Sequence, residues 1–461
     1  MSDLADLTAS DLSGLYRSGE ASPVEVTQAV LNRIEAWEPR LNALWALDAE
    51  AALAAARASE DRWRRGQPLS ALDGAPTTIK ELIATQGVAK PLGSAATALA
   101  PEPADAPPAA RLREAGAVIL AKTTSPDFGM LSSGLSSFHK LSRNPWDLTK
   151  TPGGSSAGAG TAAAAGYGPL HVGTDIGGSI RLPAGWCGIY GFKPSNGRVP
   201  IDPPYIGRCA GPMTRTVADA ALMMRVLSAP DWRDHMSLPP ESLAWESLAL
   251  EPKGLRIGLM LDAGVGASVE PKVTAAVTAA ARAFEAVGAV VEPFAPYLTR
   301  EMLDGLDLFW RTRALADLSA LPPERAQRAL PYIRIWAEAA RGVDGVAVYQ
   351  GFNQIQRMRE AGARPFQPYD FVISPTAPMP AFAAELPSPT NDPSRPFEHI
   401  GFTVAFNMTE QPAASINCGY TSEGLPIGLQ IIGRRFDDLG VLRLSALYEK
   451  LRPAQRPWPT L

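Results

Sequence analysis

Two serines set among glycines are the residues with the clearest chemical potential. Ser155 lies in Gly153-Gly154-Ser155-Ser156-Ala157 and Ser179 in Gly177-Gly178-Ser179-Ile180-Arg181. Glycine lets the backbone turn sharply and lets a ligand approach its N–H groups, so each serine sits on a bend suited to attack on a carbonyl. A serine hydroxyl needs a base. Neither serine is in a Gly-x-Ser-x-Gly elbow. Of the four histidines, His171 lies in an apolar run where a packed imidazole is expected, His139 in a loop, and His235 and His399 in polar connections. A lysine is an alternative base when burial lowers its pKa. Lys80, in Thr77-Thr78-Ile79-Lys80-Glu81-Leu82-Ile83, has small or apolar neighbours on both sides. The same pattern also fits a half-exposed lysine paired with Glu81. Lys122, closing the run Ala117-Val118-Ile119-Leu120-Ala121, is a competitor. A phosphate cradle fits poorly. Gly153 to Gly158 has the glycine spacing of a P-loop, but Ala159-Gly160 stands where the phosphate-binding lysine and Mg²⁺-binding hydroxyl belong.

These residues need elements to hold them. The pattern predicts helices over 1–70. Ser22-Pro23-Val24-Glu25 is a capping box with proline at the first helical position, and Val26, Val30, Ile34 and Trp37 follow at helical spacing until Pro39 ends the helix. An alanine-rich helix runs from about Asp48 to Arg65, stopping at Gly66. From residue 71 short apolar runs alternate with helical patterns. A turn entering a strand is expected at 74–81, strands near 117–122, 170–175, 255–260, 289–292, 371–374, 413–417 and 428–432, and helices at 217–227, 271–287 and 439–451. Residues 196–212, with several Pro and Gly, read as a long loop, and 228–253 as a connection. Residues 299–365 read as mostly helical and carry Phe309, Trp310, Tyr332, Trp336, Tyr349 and Phe352. The alternation predicts a layered α/β fold. With no repeat and no low-complexity linker, a single domain over 1–461 is expected: N-terminal helices at 1–70, a core at 71–227, a variable region at 228–365 and a closing part at 366–461.

Composition narrows the partners. A net charge of −4 argues against a general polyanion binder. The cysteines Cys187, Cys209 and Cys418 are too few and too far apart for a disulfide framework or a zinc site, so no metal and no cofactor are expected. The first residues lack a basic and an apolar region, and no run approaches a membrane span. The expectation is a cytoplasmic protein acting on a small molecule, as monomer or homodimer, with no nucleic acid and no membrane.

Taken together, Lys80, Ser155 and Ser179 and their surroundings resemble the amidase signature family. Gly74-x-Pro76-x3-Lys80-Glu81 is similar to its lysine block. Pro152-Gly153-Gly154-Ser155-Ser156 with Gly173-Thr174-Asp175-Ile176-Gly177-Gly178-Ser179-Ile180-Arg181 is similar to its serine- and glycine-rich signature. Further agreement runs through Gly191-Phe192-Lys193-Pro194, Gly211-Pro212-Met213, Ser374-Pro375-Thr376 and Gly424-Leu425-Pro426-Ile427-Gly428. The sequence departs in having Ala157 and Ala159 where glycines and a serine are common, a small-for-small change. The resemblance implies one large α/β/α domain whose mixed sheet is covered by helices on both faces. It implies Ser179 as acyl-enzyme nucleophile, Ser155 as bridging serine after a cis peptide with Gly154, and Lys80 as terminal base. Backbone N–H groups of Ile176, Gly177, Gly178 and Ser179 would form the oxyanion hole, and Phe128, Gly129 and Met130 would line the acyl side. Asp175 and Arg181 would brace the loop; Ser156 would hold the turn or open the helix at 157–165.

The activity expected is hydrolysis of carboxamide C–N bonds, with the aromatics of 299–365 hinting at apolar or aryl amides and with esters or carbamates as further acyl donors. The alternative is the glutaminase subunit of a tRNA-dependent amidotransferase. It takes second place because the segment 198–212 is shorter than in that subgroup and lacks its usual wording. A non-catalytic binding protein is disfavoured because the lysine and both serines are present.

Overall fold

The computed structural model describes residues 3–460; Met1 and Ser2, part of the stretch from which the absence of a leader is read, lie outside them. Eleven strands form a single sheet: β1 Leu44–Trp45, β2 Pro76–Lys80, β3 Val118–Thr123, β4 Leu170–Asp175, β5 Tyr190–Lys193, β6 Cys209–Thr214, β7 Arg256–Leu259, β8 Val290–Pro293, β9 Phe371–Pro375, β10 Ala413–Tyr420 and β11 Pro426–Gly433. Their order is β1-β3-β2-β4-β6-β5-β10-β11-β9-β7-β8. The sheet is mixed: β3, β2 and β4 run parallel, while β6 is antiparallel to β4 and β10 to β5. This is the α/β architecture that the alternation of patterns predicts.

The inner strands are buried on both faces because both faces are covered. Neighbouring residues point opposite ways, and their destinations alternate accordingly. Ile373, Ala414 and Ile431 enter the core under helices Pro107–Glu114, Val217–Leu227, Pro271–Ala286 and Asp438–Leu451. Val372, Ala413 and Ile432 enter the core under Arg300–Ser319, Pro331–Glu338, Gly345–Phe366 and Gly401–Met408. A full side chain's burial of this kind is worth about 1.5–3 kcal/mol.

Helix boundaries follow their capping chemistry. Ser22 and Glu25 form the reciprocal capping box, but the helix continues through Pro39 to Leu41, where Asn42 closes it in the left-handed conformation at φ 52°. Pro39 has no N–H to give to the turn before it, and the helix runs only two residues beyond it. A second difference is larger. The end of the expected loop at 196–212 is β6, in the middle of the sheet. Gly211 and Pro212 disguise it, since neither favours a strand. Pro212 stands opposite Val172 of β4, and the β5 ladder is registered only at Tyr190↔Thr214 and Gly191↔Met213, stopping short of the residue that has no N–H to give. No helix among the described residues is long and apolar enough to cross a membrane.

Candidate active site

Three parallel strands bring their C-terminal ends to one edge of the sheet, where α/β proteins place ligands. β2 ends at Lys80, β3 leads into Asp127–Gly129, and β4 ends at Asp175 and leads into the loop that carries Ser179. Helix Ala157–Ala165 starts immediately after Ser155 and Ser156. Its residues are all Ala, Gly or Thr and all buried, so its backbone lies close to the sheet. A Cβ at Gly158 would stand 2.1 Å from the Ala43 carbonyl oxygen, and the Gly158 N–H donates to Thr124 O at 3.0 Å. The Gly154–Ser155 peptide is cis.

Lys80 is wholly buried. Its Nζ lies 2.8 Å from Ser155 Oγ, 3.0 Å from Ser156 Oγ and 3.5 Å from Thr174 O. Burial, then the nearby charge of Arg208, pulls its pKa well below the ordinary lysine value against the opposing pull of Asp175 and Glu81. A neutral amine has two N–H donors and one lone pair. Ser156 Oγ donates to Thr174 O at 3.1 Å and accepts from Thr174 N at 3.2 Å. Its one proton is therefore spent, and it receives a bond from Lys80; Thr174 O takes the second N–H. The amine lone pair is left facing the Ser155 hydroxyl. Ser156 thus neither caps the helix, which has no side-chain cap, nor merely holds the turn.

The other base candidates are engaged elsewhere. Glu81 is occupied by the Ser125 N–H and hydroxyl and by His139 Nε2 at 2.9 Å, with no ion pair to Lys80. Lys122 Nζ donates to Ile83 O and Thr85 Oγ1. His171 is buried between the Thr78 hydroxyl, 2.7 Å from Nδ1, and Gly168 O, 3.0 Å from Nε2; burial pulls it down to about 3.

The loop after β4 is fixed by an ion pair. Arg181 meets Asp175 through Nε and Nη2 at 3.0 and 2.9 Å, both side chains fully buried. Its Nη1 reaches Thr403 O and Gln430 Oε1, and its Nη2 Asn407 Oδ1. Burial alone would raise the Asp175 pKa; Arg181 holds the carboxyl well below its ordinary range. Asp175 also accepts the N–H of Gly178 at 2.8 Å and of Ile180 at 3.1 Å. The Gly178 N–H is therefore committed to a carboxylate, unlike what the resemblance implies for it. The N–H groups of Ile176, Gly177 and Ser179 donate to no group among the described residues.

Ser155 and Ser179 open on one cavity of about 290 Å³. Ile176 and Gly177 line it and Gly178 does not. Phe128, Gly129 and Met130 line it from the end of β3. Phe128 adopts φ 52°, ψ 15°, which costs an ordinary side chain roughly 1–2 kcal/mol and is held by its N–H donating to Leu92 O at 2.6 Å. At Gly129 a Cβ would lie 2.8 Å from Leu82 Cδ2 and 3.3 Å from Ser155 Oγ. Opposite, Trp310, Trp336 and Phe397 form an aromatic wall, both tryptophans packing edge-on to Phe397. The other aromatics of 299–365 do not reach the cavity. Phe309 and Phe352 pack on each other, Tyr332 bonds Ser388, and Tyr349 is exposed. Sequence reasoning missed Phe397 and Arg208, which also lines the cavity. Neither stands in a motif; the strand register places Arg208, and packing against Trp310 and Trp336 places Phe397.

The Amidase family model matches residues 25–442. A glutamyl-tRNA(Gln) amidotransferase subunit of Myxococcus xanthus is 36% identical over 482 residues, 97% of each chain. Its counterpart in Chloroflexus aggregans is 36% identical over 485 residues, covering 98% of this chain and 97% of the relative. Among solved structures, a bacterial aryl acylamidase of the amidase signature family superposes with a TM-score of 0.89 at 30% identity, over 96% of each chain. The Stenotrophomonas maltophilia peptide amidase does so at 0.83 and 26%, over 98% of each. These relatives correct one expectation. Proteins named as subunits of an enzyme acting on glutamyl-tRNA match this chain over nearly its whole length, which overturns the reading of a lone chain with a small-molecule substrate and no nucleic-acid partner. Net charge describes only a chain's own surface and says nothing of what it assembles with. The shorter segment at 198–212 loses its weight too, since the part of it ahead of β6 includes a connection exposed at 202–203, and connections tolerate changes of length.

Proposed function

The chain belongs to the amidase signature family, an enzyme family that acts on C–N bonds, and from that premise we propose that it cleaves carboxamides through an acyl-enzyme on Ser179. The observation that carries this reading is the fully buried Lys80 amine 2.8 Å from Ser155 Oγ, in a site where Ser155 and Ser179 open on the same cavity. Lys80 takes the Ser155 proton as Ser155 takes that of Ser179, and the Ser179 oxygen bonds to the substrate carbonyl carbon. The N–H groups of Ile176, Gly177 and Ser179 receive the oxyanion; each such donor is worth roughly 3 kcal/mol in comparable sites. The proton returns along the same serine to the leaving nitrogen as the C–N bond breaks, because an amide anion is a poor leaving group. An incoming water or amine then takes the acyl group by the reverse path.

For the finer activity, the amidotransferase relatives support a glutaminase subunit that releases ammonia from an amide donor. A second reading, an amidase for aryl amides, is favoured by the wall of Trp310, Trp336 and Phe397 and by the likeness to the aryl acylamidase. One experiment separates them. The purified chain is assayed with glutamine and with anilides, alone and mixed with the remaining subunits of a glutamyl-tRNA(Gln) amidotransferase. Glutamine turnover that rises at least about tenfold on mixing supports the glutaminase; anilide turnover indifferent to mixing supports the amidase. Absence of any acylation of Ser179 by amide or fluorophosphonate would overturn both.

A further inference from the structure

Arg208 lines the cavity that holds both serines. The sheet puts it there. Asp175 of β4 pairs with Cys209 of β6 in antiparallel register, so the residue before Cys209 lies beside Ile176, the first residue of the Ser179 loop. Its main chain is pinned to the network that fixes that loop. Asn407 Nδ2 donates both to Asp175 Oδ1 at 2.9 Å and to Gly207 O at 3.0 Å, and Asn196 Nδ2 donates to Arg208 O at 2.9 Å. Gly207 adopts φ +73°, and a Cβ there would stand 2.6 Å from Met408 Cε, so the approach of this segment is close.

The guanidinium is placed but not neutralised. Among the described residues its side chain makes one hydrogen bond, from Nη1 to Pro203 O at 2.9 Å, and no carboxylate lies within ion-pair distance, Asp202 acting on it only from farther away. The other cations of the cavity have partners: Lys90 pairs with Glu102 at 3.2 Å, and Arg313 with Asp317 at 3.8 Å while stacking on Tyr205. Burial, and after it the charge of Arg313, pulls Arg208 down to about 10. The side chain is half-buried, and a partly desolvated cation beside another cation gains when an anion joins it; a guanidinium fork matches a carboxylate bidentately.

We propose that Arg208 reads a carboxylate on the substrate, so that the amides this chain prefers carry a free carboxyl group close to the scissile bond. The inference rests on the acyl-enzyme reading and adds the chemical class of the substrate. Arg208 is a specificity residue, and it selects acids over neutral amides of the same shape.

The test compares matched pairs on the purified full chain. Glutaric mono-para-nitroanilide against butyryl para-nitroanilide puts the carboxylate on the acyl side. Para-acetamidobenzoate against acetanilide puts it on the leaving group. The expected result is a preference in kcat/KM for the acid in one arm, which falls about 10- to 100-fold in Arg208→Gln and is partly restored in Arg208→Lys. Turnover with the same acid-to-neutral ratio in wild type and variant, in both arms, would overturn the inference and leave the acyl-enzyme reading standing. If neither pair turns over, protection of Ser179 from a fluorophosphonate by glutarate decides. Protection that needs about tenfold more glutarate in Arg208→Gln supports the inference, and equal or absent protection overturns it. No fluorophosphonate labelling at all would overturn the acyl-enzyme reading and the inference with it.

Discussion

At the scale of the residue, burial decides what each titratable group is. Lys80 and Lys122 both close strands and both are buried, yet Lys122 spends its donors on Ile83 and Thr85 while Lys80 turns toward two serines. Lys80→Ala is expected to lower amide hydrolysis more than ester hydrolysis, by at least about tenfold in the ratio of kcat/KM values, because an alkoxide leaves with little proton help; matched amide and ester substrates check this. Lys80 must be neutral to act, so kcat/KM should rise with pH through its depressed pKa and reach a plateau, and a pH–rate profile reads that limb. Ser156→Ala removes the group that orients the amine and should lower kcat by about 10- to 100-fold while leaving Ser179 open to fluorophosphonate. Lys122 is drawn down to about 7, first by burial. Between that value and the ordinary lysine value of about 10.4, the unfolded chain holds a proton that the folded chain does not. Stability should therefore rise with pH across this window, by at most about 1.4 kcal/mol per unit, and Lys122→Met should show the shallower slope in melts from pH 7 upward. The sequence made Lys80 a candidate through its small and apolar neighbours. It could not display the part of Ser156, because a serine just ahead of a helix reads as a cap until the partners of its hydroxyl are known.

At the scale of the element, three parallel strand ends and one tightly seated helix assemble the site. β3 was legible as an apolar run because a strand covered on both faces needs no polar alternation, and β2 and β4 as short segments beside glycine-containing turns. β6 was hidden by Gly211 and Pro212, and with it went the position of Arg208. The fixed points of these elements are open to test. Gly158→Ala drives a methyl group into the Ala43 carbonyl and should destabilise the chain by roughly 1–3 kcal/mol, measured by thermal or denaturant melts. Arg181→Met leaves Asp175 buried without its counter-charge, which typically costs about 3–5 kcal/mol. It should also release the Gly178 and Ile180 N–H anchors, so activity should fall further than stability alone accounts for when assayed well below the melting temperature.

At the scale of the whole molecule, the strand order divides the sheet along the chain. β1 to β6 make one half and β7 to β11 the other. The first half supplies Lys80, both serines and Arg208, while the second supplies the aromatic wall and the Thr403, Asn407 and Gln430 groups that hold Arg181. Trp310→Ala should therefore weaken aryl amides more than small aliphatic ones, by roughly tenfold in kcat/KM, with matched anilide and aliphatic amide pairs as the measure. The catalytic motifs were legible because they are local and rich in glycine; the wall was legible only as an aromatic-rich stretch holding Trp310 and Trp336, because these and Phe397 meet at the cavity only through the packing of segments distant in the chain.

Within the sheet the two halves join at one pair of strands, where β5 meets β10 at Lys193↔Ala413, Phe192↔Ala414 and Gly191↔Ser415. A ribosome delivers β5 more than two hundred residues before its neighbour. Through that interval the nascent first half presents a buried-type strand with open backbone donors and acceptors, the template on which other chains add. Synthesis speed across 228–412 and the supply of chaperones are then expected to govern the yield of native protein, and a fragment ending after residue 227 should self-associate unless 413–433 is supplied in trans.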